Sequence, residues 1–561
     1  MSIRMRDYRV IAAQKQIERN NKIPPQWLID SALHNATSVL HIPVTCGVLS
    51  DVECDITSKF DATTLLEKLK EGAWSAEQVT TAFCKRAAIA QQLVSHLSFL
   101  PEMVTKHLMQ VNCLTEIFFG EAIERARHLD KERKENPSNV LPPLWGLPIS
   151  LKDSFDILGH DSSTGLACYV GEPAKENSSL AAMLLDLGAV LYCKTNVSQL
   201  TIPADSDNNV FGRTLNPRNS TLTAGGSTGG EGALIALRGS ILGVGTDIGG
   251  SIRVPAVCNG IYGFRTSVGL IPHDGVRNLS VPGADGVRSS VGPMATSIRD
   301  CALFLRTIME SETWRYDSTI ISLPWRNVPV KKKLCIGLVE DDGIYTPSPP
   351  VRRGLKKTAD LLRNNSGIEL VPVTLPNTKE HYNALLRYFS YPGSDHYRDQ
   401  LARTGELEVP SLKAIQLLNF DGTSLEGLCN LNVHRAAAAK RYQRLFLDHG
   451  IDAILMPPAP HTAVPLDHWT TASYTGLWNY LDFPAVVIPV DDVAASDALD
   501  KTTTAKYGPD DAKVYSLYTG PEFYRDMPVS IQLVGYRHAD EALSNAAVLI
   551  DSIINTPTGK R

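Results

Sequence analysis

Apolar positions recur with a helical period over residues 61–134 and change to short apolar runs from Leu141 onward. Residues 61–72 place Leu65, Leu66 and Leu69 on one face of a helix that Asp61 can cap and Gly72 can stop. Ser75 with Gln78 forms a capping box before a second helix, whose apolar stripe is Val79, Phe83 and Ala87. The spacing predicts a third helix over 114–134, with Ile117, Phe118 and Ala122 facing inward. Beyond Leu141, strands are expected at 147–151, 190–193, 241–244, 261–264, 334–339, 368–373, 452–456 and 483–490, with a return to the sheet at 527–535. Helices are expected at 179–187, 297–309, 349–363 and 541–553, and 380–445 reads as helix-rich. Residues 491–518, rich in Asp, Lys and Ala, read as an exposed loop. This alternation predicts an α/β fold, a mixed β-sheet covered by helices on both faces. Residues 1–60 read as a polar arm with a helix at 9–20 that Pro24-Pro25 interrupts. No Pro/Gly/Ser-rich linker divides the rest, so 61–555 is expected to be one large domain with its core at 140–270.

The most informative stretch is 225–256. It opens on Gly-Gly-Ser-Thr-Gly-Gly (225–230) and closes on Gly-Thr-Asp-Ile-Gly-Gly-Ser-Ile-Arg-Val-Pro (245–255). Each of its two glycine-rich bends carries a serine, Ser227 or Ser251. Glycine lets backbone amides approach a ligand closely. A hydroxyl beside such amides supplies what acyl transfer needs, a nucleophile and donors for a developing oxyanion. Between the bends, Ser227 and Thr228 can cap a helix through Ala233 and Leu237, and Gly239 ends it. Pro255 suits the first turn of the next helix. Phosphate binding and ordinary turns are the competing readings. No Gly-x-x-x-x-Gly-Lys-Ser/Thr occurs, and the nearest dinucleotide fingerprint, Gly243-x-Gly245, has its next glycine one position late at Gly249. Upstream, Leu-Pro-Ile-Ser-Leu-Lys-Asp (147–153) ends an apolar strand on Lys152. A lysine there is either a solvated strand end or a desolvated base with a lowered pKa.

Lys152, Ser227 and Ser251 in these contexts resemble the amidase signature family, most nearly its fungal acetamidase or general amidase branch and more distantly fatty acid amide hydrolase. Residues 81–92, 212–218 and 527–535 share the likeness, which covers most of 45–555. The resemblance implies a Ser–cis-Ser–Lys triad. Ser251 would be the acyl-forming nucleophile, Ser227 the bridging serine after a cis peptide, and Lys152 the terminal base. It implies an oxyanion hole built from the amides of Ile248, Gly249, Gly250 and Ser251, and it aligns Thr201 with a substrate-contacting position. It implies hydrolysis of a small-molecule carboxylic acid monoamide to carboxylate and ammonia, with no cofactor and no metal, and an alkaline optimum. A pathway-specific amide hydrolase, a fatty acid amide hydrolase-like enzyme, a tRNA-dependent amidotransferase subunit and an inactive scaffold are the alternatives. Thr228 departs from the family's usual serine; it keeps a hydroxyl able to make a supporting hydrogen bond and adds a methyl. Asp247 and Arg253 flank the nucleophile and are expected to pair and brace its loop.

Charge and composition narrow the setting. A net charge of −5 over 561 residues gives no support to binding nucleic acid or an anionic membrane. Ten scattered cysteines without a Cys-x-x-Cys pair read as reduced core residues, Cys258 included. No apolar run is long enough to span a membrane and no secretory h-region is visible, so a cytoplasmic location is expected. A homodimer is left open. Residues 94–110 have no counterpart in the family. Their ends suit an unspliced intron, since Val-Ser can be encoded by GTGAGT and Gln by CAG. A lineage-specific surface insert is the alternative. Sequencing the transcript separates the two: the intron reading expects a major message without these codons, and a major message that keeps them ends it.

Overall fold

The computed structural model describes residues 7–30, 38–95, 109–284, 286–329, 331, 333–500 and 504–555. The apolar runs expected to be strands do form strands, and they pair into one sheet. In chain order the strands are β1 (Val94–Ser95), β2 (Met109–Gln110), β3 (Leu114–Ile117), β4 (Pro148–Lys152), β5 (Val190–Thr195), β6 (Leu242–Asp247) and β7 (Tyr262–Arg265). They continue with β8 (Ser290–Ala295), β9 (Leu334–Leu338), β10 (Ile368–Pro372), β11 (Ala453–Met456), β12 (Ala485–Asp492) and β13 (Pro528–Val534). β1 and β2 make a separate antiparallel pair. The other eleven form a mixed sheet in the order β10-β9-β11-β13-β12-β7-β8-β6-β4-β5-β3. β4, β5, β6, β8, β11 and β13 are buried along their whole length. Such strands read as continuous apolar runs because helices cover the sheet.

The centre of the sheet positions the chemistry. β4 lies parallel to both β5 and β6, with Leu151 opposite Val244. The carboxyl ends of β4 and β6 therefore sit side by side, where open α/β sheets hold their ligands. β8 is a strand that the hydrophobic pattern does not predict, because Gly292 and Pro293 disguise it as a turn. The glycine is required there: a Cβ would lie 2.0 Å from the Phe264 carbonyl oxygen on β7.

Several expectations need correction. Residues 114–117 are strand β3, not helix; Ile117 pairs with Cys193 on β5, and the helix begins only at Phe119. Pairing to the open edge of β5 overrides the helical spacing there, helped by the β-branched Thr115 and Ile117. Residues 491–518 are not a free loop. β12 runs to Asp492, Pro509–Tyr515 is helical, and Asp511 is buried against Thr346 and the amides of Lys506 and Tyr507. The N-terminal helix, Tyr8–Asn21, is polar but docked. Lys15 Nζ lies 2.5 Å from Glu116 and 2.8 Å from Asp161, and Arg19 Nη1 donates to Asn112 and to the Leu114 carbonyl. Most of the 94–110 segment lies outside the described residues.

The helix after Ser227 also differs in detail. It spans Gly229–Ala236, and neither Ser227 nor Thr228 caps it. The Gly229 amide instead donates to Ser206 Oγ at 2.8 Å and the Gly230 amide to the Asn196 carbonyl, so the cap comes from a neighbouring segment. The left-handed residue past its end is Arg238 (φ 56°), not Gly239. The Arg238 guanidinium holds that strained backbone by donating to the Thr57 and Phe60 carbonyls.

Candidate active site

Lys152 ends β4 and is almost fully buried. Its Nζ lies 2.7 Å from Ser227 Oγ and 2.9 Å from Thr246 Oγ1 on the adjacent β6. Burial lowers its pKa to about 7, against the opposing pull of Asp247 and Asp153. Near neutral pH a large fraction of this amine is therefore uncharged. The Gly226–Ser227 peptide is cis. On the helix that follows, Glu231 is buried against the hydroxyls of Ser150 and Thr195, and burial pushes its carboxyl up to about 7.

The chain leaves β6 at Asp247 and makes a tight loop, 248–252, before the helix Arg253–Asn259. Asp247 organises this loop. Its carboxylate accepts the Gly250 amide at 2.8 Å and the Ile252 amide at 3.2 Å, and it forms a two-pronged pair with Arg253 Nε and Nη2 at 3.1 and 3.0 Å. Asn479, from the helix Ser473–Leu481, donates to Asp247 and accepts from Arg253 Nη2 at 2.6 Å. Both charged side chains are wholly buried. Burial tends to raise the Asp247 pKa, but Arg253 and Asn479 outweigh it and hold the carboxyl down to about 2. The expected bracing pair is therefore present.

Ser227, Ser251, Thr201, Ile248, Gly249 and Gly250 all line one cavity of about 180 Å³, with Thr246 beside them; Lys152 stands behind Ser227 rather than on the wall. Thr201 reaches it from a turn at positive φ (55°). Of the four amides expected to face an oxyanion, that of Gly250 is turned inward and donates to Asp247. Thr228 does not make the supporting hydrogen bond expected of it: its Oγ1 is buried without a partner among the described residues. Cys258 lies in the helix after the loop, buried, with its thiol pKa pushed well up by burial, so it is no rival nucleophile. Sequence reasoning missed Thr246, Thr475 and Asn479. Thr246 stands inside the 245–255 run. The other two reach the loop from more than 220 residues downstream, and no local pattern marks them.

Comparison with known proteins identifies the family. A family model described as amidase matches residues 78–543. An amidase of Gibberella moniliformis is 36% identical over 552 residues, covering 96% of this chain and 98% of that protein. An acetamidase of Emericella nidulans is 35% identical over 551 residues, 95% of each. The solved structure of a fatty acid amide hydrolase superposes with a TM-score of 0.89 at 29% identity, covering 98% of this chain and 95% of that one. Among the described residues, no helix is long and apolar enough to cross a membrane.

Removing one member of a buried charge pair leaves the other uncompensated, at a cost of about 3–5 kcal/mol. Asp247→Ala is expected to lose that much stability in urea denaturation. A loss below about 1 kcal/mol would mean that the pair does not hold the loop.

Proposed function

The chain belongs to the amidase family and is a hydrolase acting on amides, and from that premise we propose that it cleaves a carboxylic acid monoamide to carboxylate and ammonia through Ser251, Ser227 and Lys152. The observation that carries the triad is the buried Lys152 amine, 2.7 Å from Ser227 Oγ, with its pKa near 7, behind the wall that also presents Ser251.

Neutral Lys152 accepts the Ser227 proton while Ser227 accepts that of Ser251. Ser251 Oγ bonds to the amide carbon, and the carbonyl π pair moves to oxygen as an oxyanion. The amides of Ile248, Gly249 and Ser251 receive that charge; each such donor contributes about 3–4 kcal/mol in comparable sites. The proton returns through Ser227 to the amide nitrogen, the C–N bond breaks, and ammonia leaves. Protonation matters because an amide anion is too basic to be expelled. Water then adds to the acyl-enzyme, giving its proton to the same relay, and the ester bond to Ser251 breaks with the proton returned to Oγ. Leu200, Val254, Phe389 and Tyr391 give the cavity an apolar wall, which suits an uncharged acyl group.

Ammonia release from acetamide, hexanamide and benzamide tests the reading. Ser251→Ala is expected to lose at least about 10³-fold in kcat while remaining folded. Loss of labelling by a fluorophosphonate in the same variant would identify the acylated atom, whereas an unlabelled wild-type protein would indicate an inactive scaffold.

The pH profile follows from the lysine. The unprotonated amine is the base, so kcat/KM is expected to rise about tenfold per pH unit below about 7 and to level off above it. This moves the expected optimum from alkaline to neutral or slightly above. A flat profile between about pH 5.5 and 8.5 would remove Lys152 from the role.

A further inference from the structure

The Gly249–Gly250 peptide lies between two of the proposed oxyanion donors, and it is held at both edges. Its N–H donates to Asp247 Oδ1 at 2.8 Å. Its carbonyl, Gly249 O, accepts from Thr475 Oγ1 at 2.6 Å. Thr475 sits in the first turn of the helix Ser473–Leu481. Its hydroxyl has a second acceptor, the Ala472 carbonyl just before its own helix, but at a longer 3.3 Å. That helix is itself fixed relative to the loop. Ser473 donates to the buried Asp342, and Asn479 bonds the Asp247 carbonyl and carboxylate. The next peptide is tied as well, because the Gly250 carbonyl accepts from the Val254 amide at 2.7 Å.

Glycine-rich backbone of this kind has little intrinsic preference among conformations. Gly250 has a φ of 134°, open to glycine and rarely adopted by other residues. Without an outside restraint, the Gly249–Gly250 plane could rotate and turn a carbonyl, rather than amides, toward developing negative charge. Asp247 restrains the N–H edge from within the loop. Thr475 is the restraint on the carbonyl edge from outside it.

We propose that Thr475 is a positioning residue for the reaction: its hydroxyl fixes the Gly249–Gly250 peptide so that the flanking amides of Gly249 and Ser251 are already oriented when the oxyanion forms. This deepens the amidase reading above and rests on it. The hydroxyl is the part that matters. A β-branched side chain of the same shape without it leaves the packing and releases the peptide.

The test compares Thr475→Val, Thr475→Ser and wild type in steady-state amide hydrolysis and in the rate of fluorophosphonate labelling, which also places negative charge on an oxygen in the hole. Losing an oxyanion donor outright costs about 10²–10³-fold, so loosening its support is expected to lower kcat about 10–100-fold in Thr475→Val. KM should stay within about twofold, labelling should slow in parallel, and Thr475→Ser should recover to within about threefold of wild type. Unchanged kcat in Thr475→Val, a loss confined to KM, or a loss that serine does not restore would each overturn the proposal. If Thr475→Val does not fold, Thr475→Ala removes the hydroxyl without adding strain and is read the same way. A wild-type protein that neither hydrolyses amides nor labels would defeat the amidase reading and this inference with it. An active wild type with an indifferent Thr475→Val defeats this inference alone.

Discussion

A buried carboxylate holds this site together. Placing Asp247 where it has no access to water carries a desolvation penalty of several kcal/mol that one guanidinium does not offset by Coulomb attraction alone. The remaining compensation comes from hydrogen bonds, and their sources explain the architecture. The Gly250 and Ile252 amides come from the loop that carries Ser251, Nε and Nη2 from Arg253 at the start of the next helix, and Nδ2 from Asn479 far along the chain. The carboxylate thus makes the loop and two helices one unit. Arg253 is secured in turn by Asn479 and Gln532, and Gln532 donates to the Pro457 and Tyr474 carbonyls. Three segments from the last fifth of the chain are committed to this one charge.

Lys152 is the converse case. It is equally buried, yet its hydrogen-bonding contacts are the hydroxyls of Ser227 and Thr246 rather than a carboxylate. Asp247 and Asp153 act on it at a distance, and they only partly offset the effect of burial. Two ionisable groups at the ends of adjacent parallel strands therefore end in opposite states. Asp247 is kept charged by direct partners, and Lys152 is brought close to neutrality by burial, which its hydroxyl partners do not offset. Had Lys152 met a carboxylate directly, it would stay protonated. The separation of the two roles depends on which strand end each residue occupies.

Much of this is legible in the sequence, for physical reasons. Buried strands announce themselves as apolar runs, and the glycine-serine bends with the lysine-terminated strand suit acyl transfer, a reading that the resemblance to the amidase signature family singles out from phosphate binding or ordinary turns. The failures share one cause, dependence on distant partners. Residues 114–117 carry a helical spacing, but the open edge of β5 takes them as a strand. β8 hides behind a glycine and a proline that its neighbour β7 demands or tolerates. The cap of the helix after Ser227 comes from Ser206, so the local capping residues mislead. Thr475 and Asn479 matter only through contacts that no window of sequence contains.

The loop's carbonyls explain the form of the site as much as its amides do. The Asp247 carbonyl accepts from Asn479, the Gly249 carbonyl from Thr475, and the Gly250 carbonyl from the Val254 amide. A buried carbonyl without a partner costs about as much as a lost hydrogen bond, so each of these is a strong orienting restraint. In a trans peptide the N–H lies on the edge opposite the carbonyl. Satisfying carbonyls on the protein side therefore orients the Ile248 and Ser251 amides, while the Gly250 amide is turned to Asp247. Gly250 then has a specific reason to be there. At Gly250 a Cβ would stand 2.5 Å from Thr475 Oγ1, in the way of the hydroxyl that orients the preceding peptide. The loop needs a residue without a side chain at Gly250 because a neighbouring helix must reach its backbone there, and that access gives a flexible sequence one fixed shape.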